Sequence, residues 1–129
     1  LVKINIEKKL YTVFGYKGKQ VRDNIHAKDL AMFIKHFINK PTRGEVYNIG
    51  GGINNSISIL EAFDLVQKIS GTKMNYKQKS VNRIGDHICY YSDLRKTKSH
   101  FPNWSIKMNL HDIITEIIEK YLRKKSDNN

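Results

Sequence analysis

Residues 21–38, VRDNIHAKDLAMFIKHFI, change their periodicity in mid-run. The first residues alternate as a strand does, whereas from Asp29 onward Leu30, Phe33, Ile34, Phe37 and Ile38 recur at i, i+3, i+4, i+7 and i+8. That spacing gathers them on one face of a helix, which the break NKPTRG must end. A strand feeding directly into an amphipathic helix is the unit from which α/β folds are assembled. Upstream, residues 11–15, YTVFG, are β-branched and aromatic, and the glycine-containing YKGKQ separates them from VRDNIH, so two strands around a turn are expected.

Downstream the same alternation continues. EVYNIG reads as a short strand leading into Gly50, Gly51 and Gly52. Ser58 with Glu61 forms a capping box ahead of Leu60, Phe63, Val66 and Ile69, and Gly71 supplies the stop. KMNYKQ reads as an edge strand, NRIGD as a loop and HICYY as a strand, with Cys89 a small buried hydrophobe. Ser92 or Asp93 caps a short helix over DLRKTKSHF. A last amphipathic helix carries Leu110, Ile113, Ile114, Ile117, Ile118, Tyr121 and Leu122, with a disordered tail expected over about residues 125–129.

At 129 residues a single domain is expected, large enough to bury a core without disulfides. A hydrophobic content of 40% against 27% charged residues fits a globular chain, and no apolar run approaches the ~20 residues of a membrane span. Without a secretory leader pattern, a cytoplasmic location is the expectation, and the start at Leu1 suggests a fragment. The net charge of +11 asks for an anionic partner or for plain solubility. Lys8, Lys9, Lys17, Lys19, Lys120, Arg123, Lys124 and Lys125 are peripheral and form no stripe interleaved with aromatics. No nucleic-acid partner is therefore expected, and a basic nucleic-acid-binding module is kept as the alternative.

Several stretches invite chemistry that their spacing refuses. GGGINNS has no third glycine where a dinucleotide fingerprint needs one, so a tight, close-packed loop is expected there. The only Tyr-x-x-x-Lys pair, Tyr121 to Lys125, lies in a basic helix end with no partnering serine. The histidines His26, His36, His87, His100 and His111 have no metal-ligand spacing, so no metal site is expected. The isolated arginines leave two readings open. Arg22 and Arg83 pair structurally, with Asp23, Asp29 or Asp86, or they converge as planar forks on a diphosphate.

YTVFGYKGKQVRDNIHAKDL, GEVYNIGGG with ISILEAF after it, NRIGDHICYYSDLRK and PNW, in that order, resemble the carboxyl-terminal part of the extended short-chain dehydrogenase/reductase family of nucleotide-sugar epimerases and dehydratases. Within it, FGYKGKQVRDNIH and NRIGDH are most similar to the CDP-sugar 2-epimerases, with a 4-epimerase or a dehydratase as the alternative. The fold implied is the end of a Rossmann-type sheet plus the smaller substrate-binding domain. The resemblance implies that Arg22 and Arg83 reach the diphosphate and that Asp86 accepts from ribose hydroxyls. Tyr90 would sit near the diphosphate and sugar, while Tyr11, Thr12 and Phe14 line the nucleobase. Asp29, Asn48 and His26 take scaffold roles. The family's NAD fingerprint and its Ser/Tyr/Lys catalytic set are not in this chain. A chain inactive alone is expected, with no catalytic and no cofactor-binding residue and with NAD bound only by the full-length enzyme. A nucleotide-sugar, favoured as a CDP-sugar, is the expected ligand, and an assembly role, in which apolar faces left uncovered pair two copies, is kept as a further alternative.

Overall fold

A computed structural model of the chain describes residues 1–82 and 84–127. The elements run α1 (Val2–Ile6), β1 (Tyr11–Phe14), β2 (Val21–Asp23), α2 (Ala27–Asn39), β3 (Ser56–Ser58), α3 (Ile59–Ser70), β4 (Tyr76–Lys79), β5 (Cys89–Tyr90), α4 (Arg95–His100) and α5 (Leu110–Ser126). The α/β class expected from the element order is what the structure contains. The chain divides into two compact units, one of Leu1–Val21, Ile57–Cys89 and His111–Asn129 and the other of Arg22–Ser56 and Tyr90–Leu110.

In the first unit β1 and β4 pair in parallel, with Tyr11 opposite Tyr76 and Phe14 opposite Lys79. Every residue of β4 is exposed, as the edge-strand reading of KMNYKQ requires. Val13, Phe63 and Met74 form one buried cluster, and Val2, Val66, Ile114 and Ile118 form another. Helix α3 begins with the expected capping box: the Ser58 hydroxyl accepts from the Glu61 N–H while the Glu61 carboxylate accepts from the Ser58 N–H. It ends at Gly71, whose φ of 67° is the left-handed conformation that glycine adopts without strain. Asn5 is buried with its bonds made: it donates to the Thr72 carbonyl and accepts from the Ser70 hydroxyl. The last helix runs through Ser126, past the expected start of the tail.

In the second unit Phe33, Leu94, Phe101 and Trp104 make the core, with the Phe33 ring meeting those of Phe101 and Trp104 edge to face. Helix α2 starts two residues before Asp29, with His26 as its cap accepting from the Lys28 N–H through Nδ1. Asp29 is instead a buried scaffold residue, 3% exposed. Its carboxylate accepts from the Met108 N–H at 3.0 Å and its carbonyl from the Trp104 indole N–H at 2.9 Å. Of the five apolar residues expected to share a buried face, Phe33 and Phe37 join the core, whereas Leu30, Ile34 and Ile38 stay exposed. The apolar arc of α2 is wider than the surface this unit offers it.

Strands β3, β2 and β5 pair in that order. Within the first unit the Val21 N–H donates to the Ile88 carbonyl, and within the second the Asn24 N–H donates to the Asn55 carbonyl. Two expectations need correction. HICYY shrinks to a two-residue strand at the end of that order, and Cys89 is exposed rather than buried, because both residues of β5 lie on a surface that no core cluster covers among the described residues. EVYNIG forms no strand: no described strand pairs with residues 45–49, and a strand cannot be regular without a neighbour's ladder.

Candidate functional site

Successive residues of a strand leave its opposite faces, so Arg22 and Asp23 on β2 have different tasks. The Asp23 carboxylate accepts from the Gly52 N–H at 2.9 Å and from the Ser92 N–H at 3.0 Å. Partial burial pushes its pKa up, but the bonds from Ser92 and Gly52 outweigh burial and hold it below the usual carboxylate value. One anionic oxygen thus joins β2, the glycine run and the segment before α4, all within the second unit. The glycines are there for closeness. A Cβ on Gly50 would lie 2.2 Å from the Ser92 hydroxyl and 2.4 Å from the Asp23 carboxylate, and one on Gly51 would lie 2.1 Å from the Asn24 carbonyl. These residues do not fit a dinucleotide pyrophosphate, because their backbone is already closed on neighbouring protein atoms.

Arg22 is half-buried on β2, and Tyr90 on β5 is 50% exposed. Both belong to the second unit. Tyr11, Thr12, Phe14 and Asp86 belong to the first. Arg83 lies outside the described residues.

In the first unit the residues just after β1 are brought to Asn82 and Asp86. The Tyr16 N–H donates to the Asn82 side-chain oxygen at 3.2 Å, and the Tyr16 hydroxyl donates to the Asp86 carbonyl at 3.2 Å. Gly15 allows that approach, since a Cβ there would fall 1.9 Å from the Asn82 oxygen. Tyr16 and Lys17 hold φ of 44° and 52°, left-handed conformations that cost side-chain-bearing residues about 1–2 kcal/mol each. The bonds to Asn82 and Asp86 oppose that cost. Along β1, Tyr11 packs edge to face on Phe63 at 5.3 Å, Thr12 is half-buried, and the Lys79 ammonium sits 5.7 Å from the Phe14 ring centre.

Asp23 and Tyr16 also form the site, although no motif marks either as such. Asp23 was signalled by its place beside the arginine and Tyr16 by its glycine neighbours, but their partners lie 29 to 70 positions away. Tyr121 donates to the Glu7 carboxylate, and that bond raises its pKa, the reverse of what a catalytic tyrosine needs. Among the described residues no cluster of histidine, cysteine, aspartate and glutamate is arranged to hold a metal ion, and no helix is long and apolar enough to cross a membrane.

No family model matches the chain. The CDP-paratose 2-epimerase of Salmonella typhi is 33% identical to it over 113 residues, 86% of this chain and 32% of that protein. The chain belongs to the extended short-chain dehydrogenase/reductase family of nucleotide-sugar epimerases and dehydratases. The crystal structure of dTDP-glucose 4,6-dehydratase from Bacillus anthracis, in complex with NAD, superposes with a TM-score of 0.79 at 26% identity, over 97% of this chain and 38% of that one. UDP-glucuronic acid 4-epimerase from Bacillus cereus, in complex with UDP-glucuronic acid and NAD, gives 0.78 at 26% identity, over 94% of this chain and 38% of that one. The chain thus spans about a third of the length of that curated relative.

Proposed function

We propose that the chain is the nucleotide-sugar-binding portion of an NAD-dependent epimerase acting on a CDP-sugar, in the manner of CDP-paratose 2-epimerase, also called CDP-tyvelose epimerase. The observation that carries this reading is the 33% identity to that enzyme over 113 residues, a stretch long enough to include the VRDNIH and NRIGDH motifs. Arg22 and Arg83 take the diphosphate, each able to give a bidentate charge-assisted contact. Asp86 accepts from the ribose hydroxyls, Tyr90 lies against the diphosphate and sugar, and Tyr11, Thr12 and Phe14 line the base. The Asp23 bonds to Gly52 and Ser92 support this assignment, because they leave the neighbouring Arg22 on a strand whose other face is already fixed. NAD, held by the remainder of a family-length chain, supplies the hydride acceptor. Alone, this chain binds the nucleotide-sugar without converting it.

The test is thermal unfolding with and without CDP. A rise in melting temperature that Arg22→Ala and Arg83→Ala each abolish supports the assignment. Equal stabilisation of the parent and both variants, or none of the parent, refutes it. Running UDP and dTDP in parallel tests the preference for cytidine. Pairing of two copies belongs to the same proposal, supported by the exposed Leu30, Ile34 and Ile38 of α2. Sedimentation across a dilution series reads it, and a monomer at every concentration rejects it.

A further inference from the structure

The second unit contains an open cleft of about 720 Å³ between the glycine run, the segment entering α4 and the loop after Trp104. That volume lies within the roughly 300–1,000 Å³ of small-molecule sites. None of Tyr11, Thr12, Phe14, Arg22, Asp86 or Tyr90 lines it.

Its floor is rigid. Gly52 and Ser92 are fixed by the Asp23 carboxylate, Leu94 is buried, and Asn55, also buried, donates to the Met108 carbonyl at 2.8 Å. Its charge is unbalanced. Asp93 is the one carboxylate on the lining, and Arg95 already occupies it: the guanidinium bonds both oxygens and the Arg95 N–H bonds Oδ1. Those bonds hold the Asp93 pKa down at about 2, so the carboxylate facing Arg95 is ionised at neutral pH. Lys98 and Lys107 also line the cleft, and among the described residues neither has a carboxylate within ion-pair distance. Beside them stand exposed apolar and aromatic surfaces, Ile53 at 65% and Tyr91 at 46% exposure.

We propose that this cleft is a second ligand site, for a phosphate monoester that carries a planar or apolar group. A monoester near neutral pH bears a charge of about −1.5 to −2, which two ammonium groups match. Lysines meet phosphate as point charges, and the guanidinium that would prefer a planar carboxylate is already taken by Asp93. Tyr91 and Ile53 give the ester's organic part a surface to cover.

The experiment is an amide chemical-shift titration of the whole chain with phenyl phosphate, beside inorganic phosphate and benzyl alcohol. Saturable shifts confined to residues 51–55 and 91–95 are expected, weaker with either fragment alone. A Lys98→Gln, Lys107→Gln double variant, both positions being exposed, should keep the parent melting temperature. It should bind phenyl phosphate about fivefold more weakly, the scale of two partly exposed charge contacts. Absence of shifts at residues 51–55, or an undiminished affinity in the double variant, overturns the proposal. The site is independent of the nucleotide-sugar reading. Arg22→Ala should leave the phenyl phosphate titration unchanged, so failure of one assignment does not imply failure of the other.

Discussion

Asp23 is the residue whose removal should disturb the second unit most for the fewest atoms changed. One of its carboxylate oxygens receives the Gly52 and Ser92 N–H groups at 2.9 and 3.0 Å. Hydrogen bonds to a charged acceptor contribute about 1.5–3 kcal/mol each and neutral ones about 0.5–1.5. Asp23→Asn keeps the shape but removes the charge from both bonds, so a loss of about 2–3 kcal/mol is expected. Asp23→Ala leaves two donors of buried residues unpaired, and about 3–5 kcal/mol is expected. Urea unfolding followed by fluorescence measures this directly, because the chain's single tryptophan, Trp104, is buried in the same unit. The midpoint should fall with the slope unchanged. The folded Asp23 pKa lies below its unfolded value of 3.8, so its contribution is complete above that pH and is lost as pH falls through and below it. The parent should therefore lose stability on acidification below about pH 4 more steeply than Asp23→Asn. An alanine variant within about 0.5 kcal/mol of the parent, the scale of an inconsequential surface change, would refute the reasoning.

Three further outcomes follow from neighbouring observations. Gly50→Ala forces a Cβ to within 2.4 Å of both the Ser92 hydroxyl and the Asp23 carboxylate, and should cost about 1–3 kcal/mol in the same unfolding assay. Ser58→Ala removes the hydroxyl of the α3 capping box and should cost about 1 kcal/mol, whereas Ser58→Asp restores a cap and most of the stability. The Glu7 carboxylate, bonded by Lys9 and Tyr121, has its pKa lowered to about 2. Carboxyl NMR should find it ionised at pH 3, and Tyr121→Phe should move its midpoint up toward 4.5; an ordinary midpoint in the parent contradicts this assignment.

Features decided by residues close in sequence were legible beforehand. The Ser58–Glu61 capping box, the Gly71 stop and the α/β order of elements depend on contacts or backbone preferences visible in short windows, whereas the glycine run suggested close packing but not its distant partners Asp23, Asn24 and Ser92. The motif order also carried the family. Periodicity, by contrast, reports only that a helix face is apolar, not how much of it a neighbour will cover. That is why Ile34 and Ile38 of α2 remain exposed while Phe33 is buried. Composition likewise names EVYNIG as extended but cannot supply the adjacent strand that would make it part of a sheet.

The amino-acid order alone determined which residues are chemically able to bind an anion, since charge, planarity and donor count belong to the side chains themselves. Only tertiary structure decided which carboxylates are already engaged. Asp23 closes on Gly52 and Ser92, and Asp93 closes on Arg95, while among the described residues Lys98 and Lys107 line the same cleft with no carboxylate within ion-pair distance. Coulombic and hydrogen-bonding energies fall off within a few ångströms, so they depend on distances across the fold, and chain separation carries no record of those.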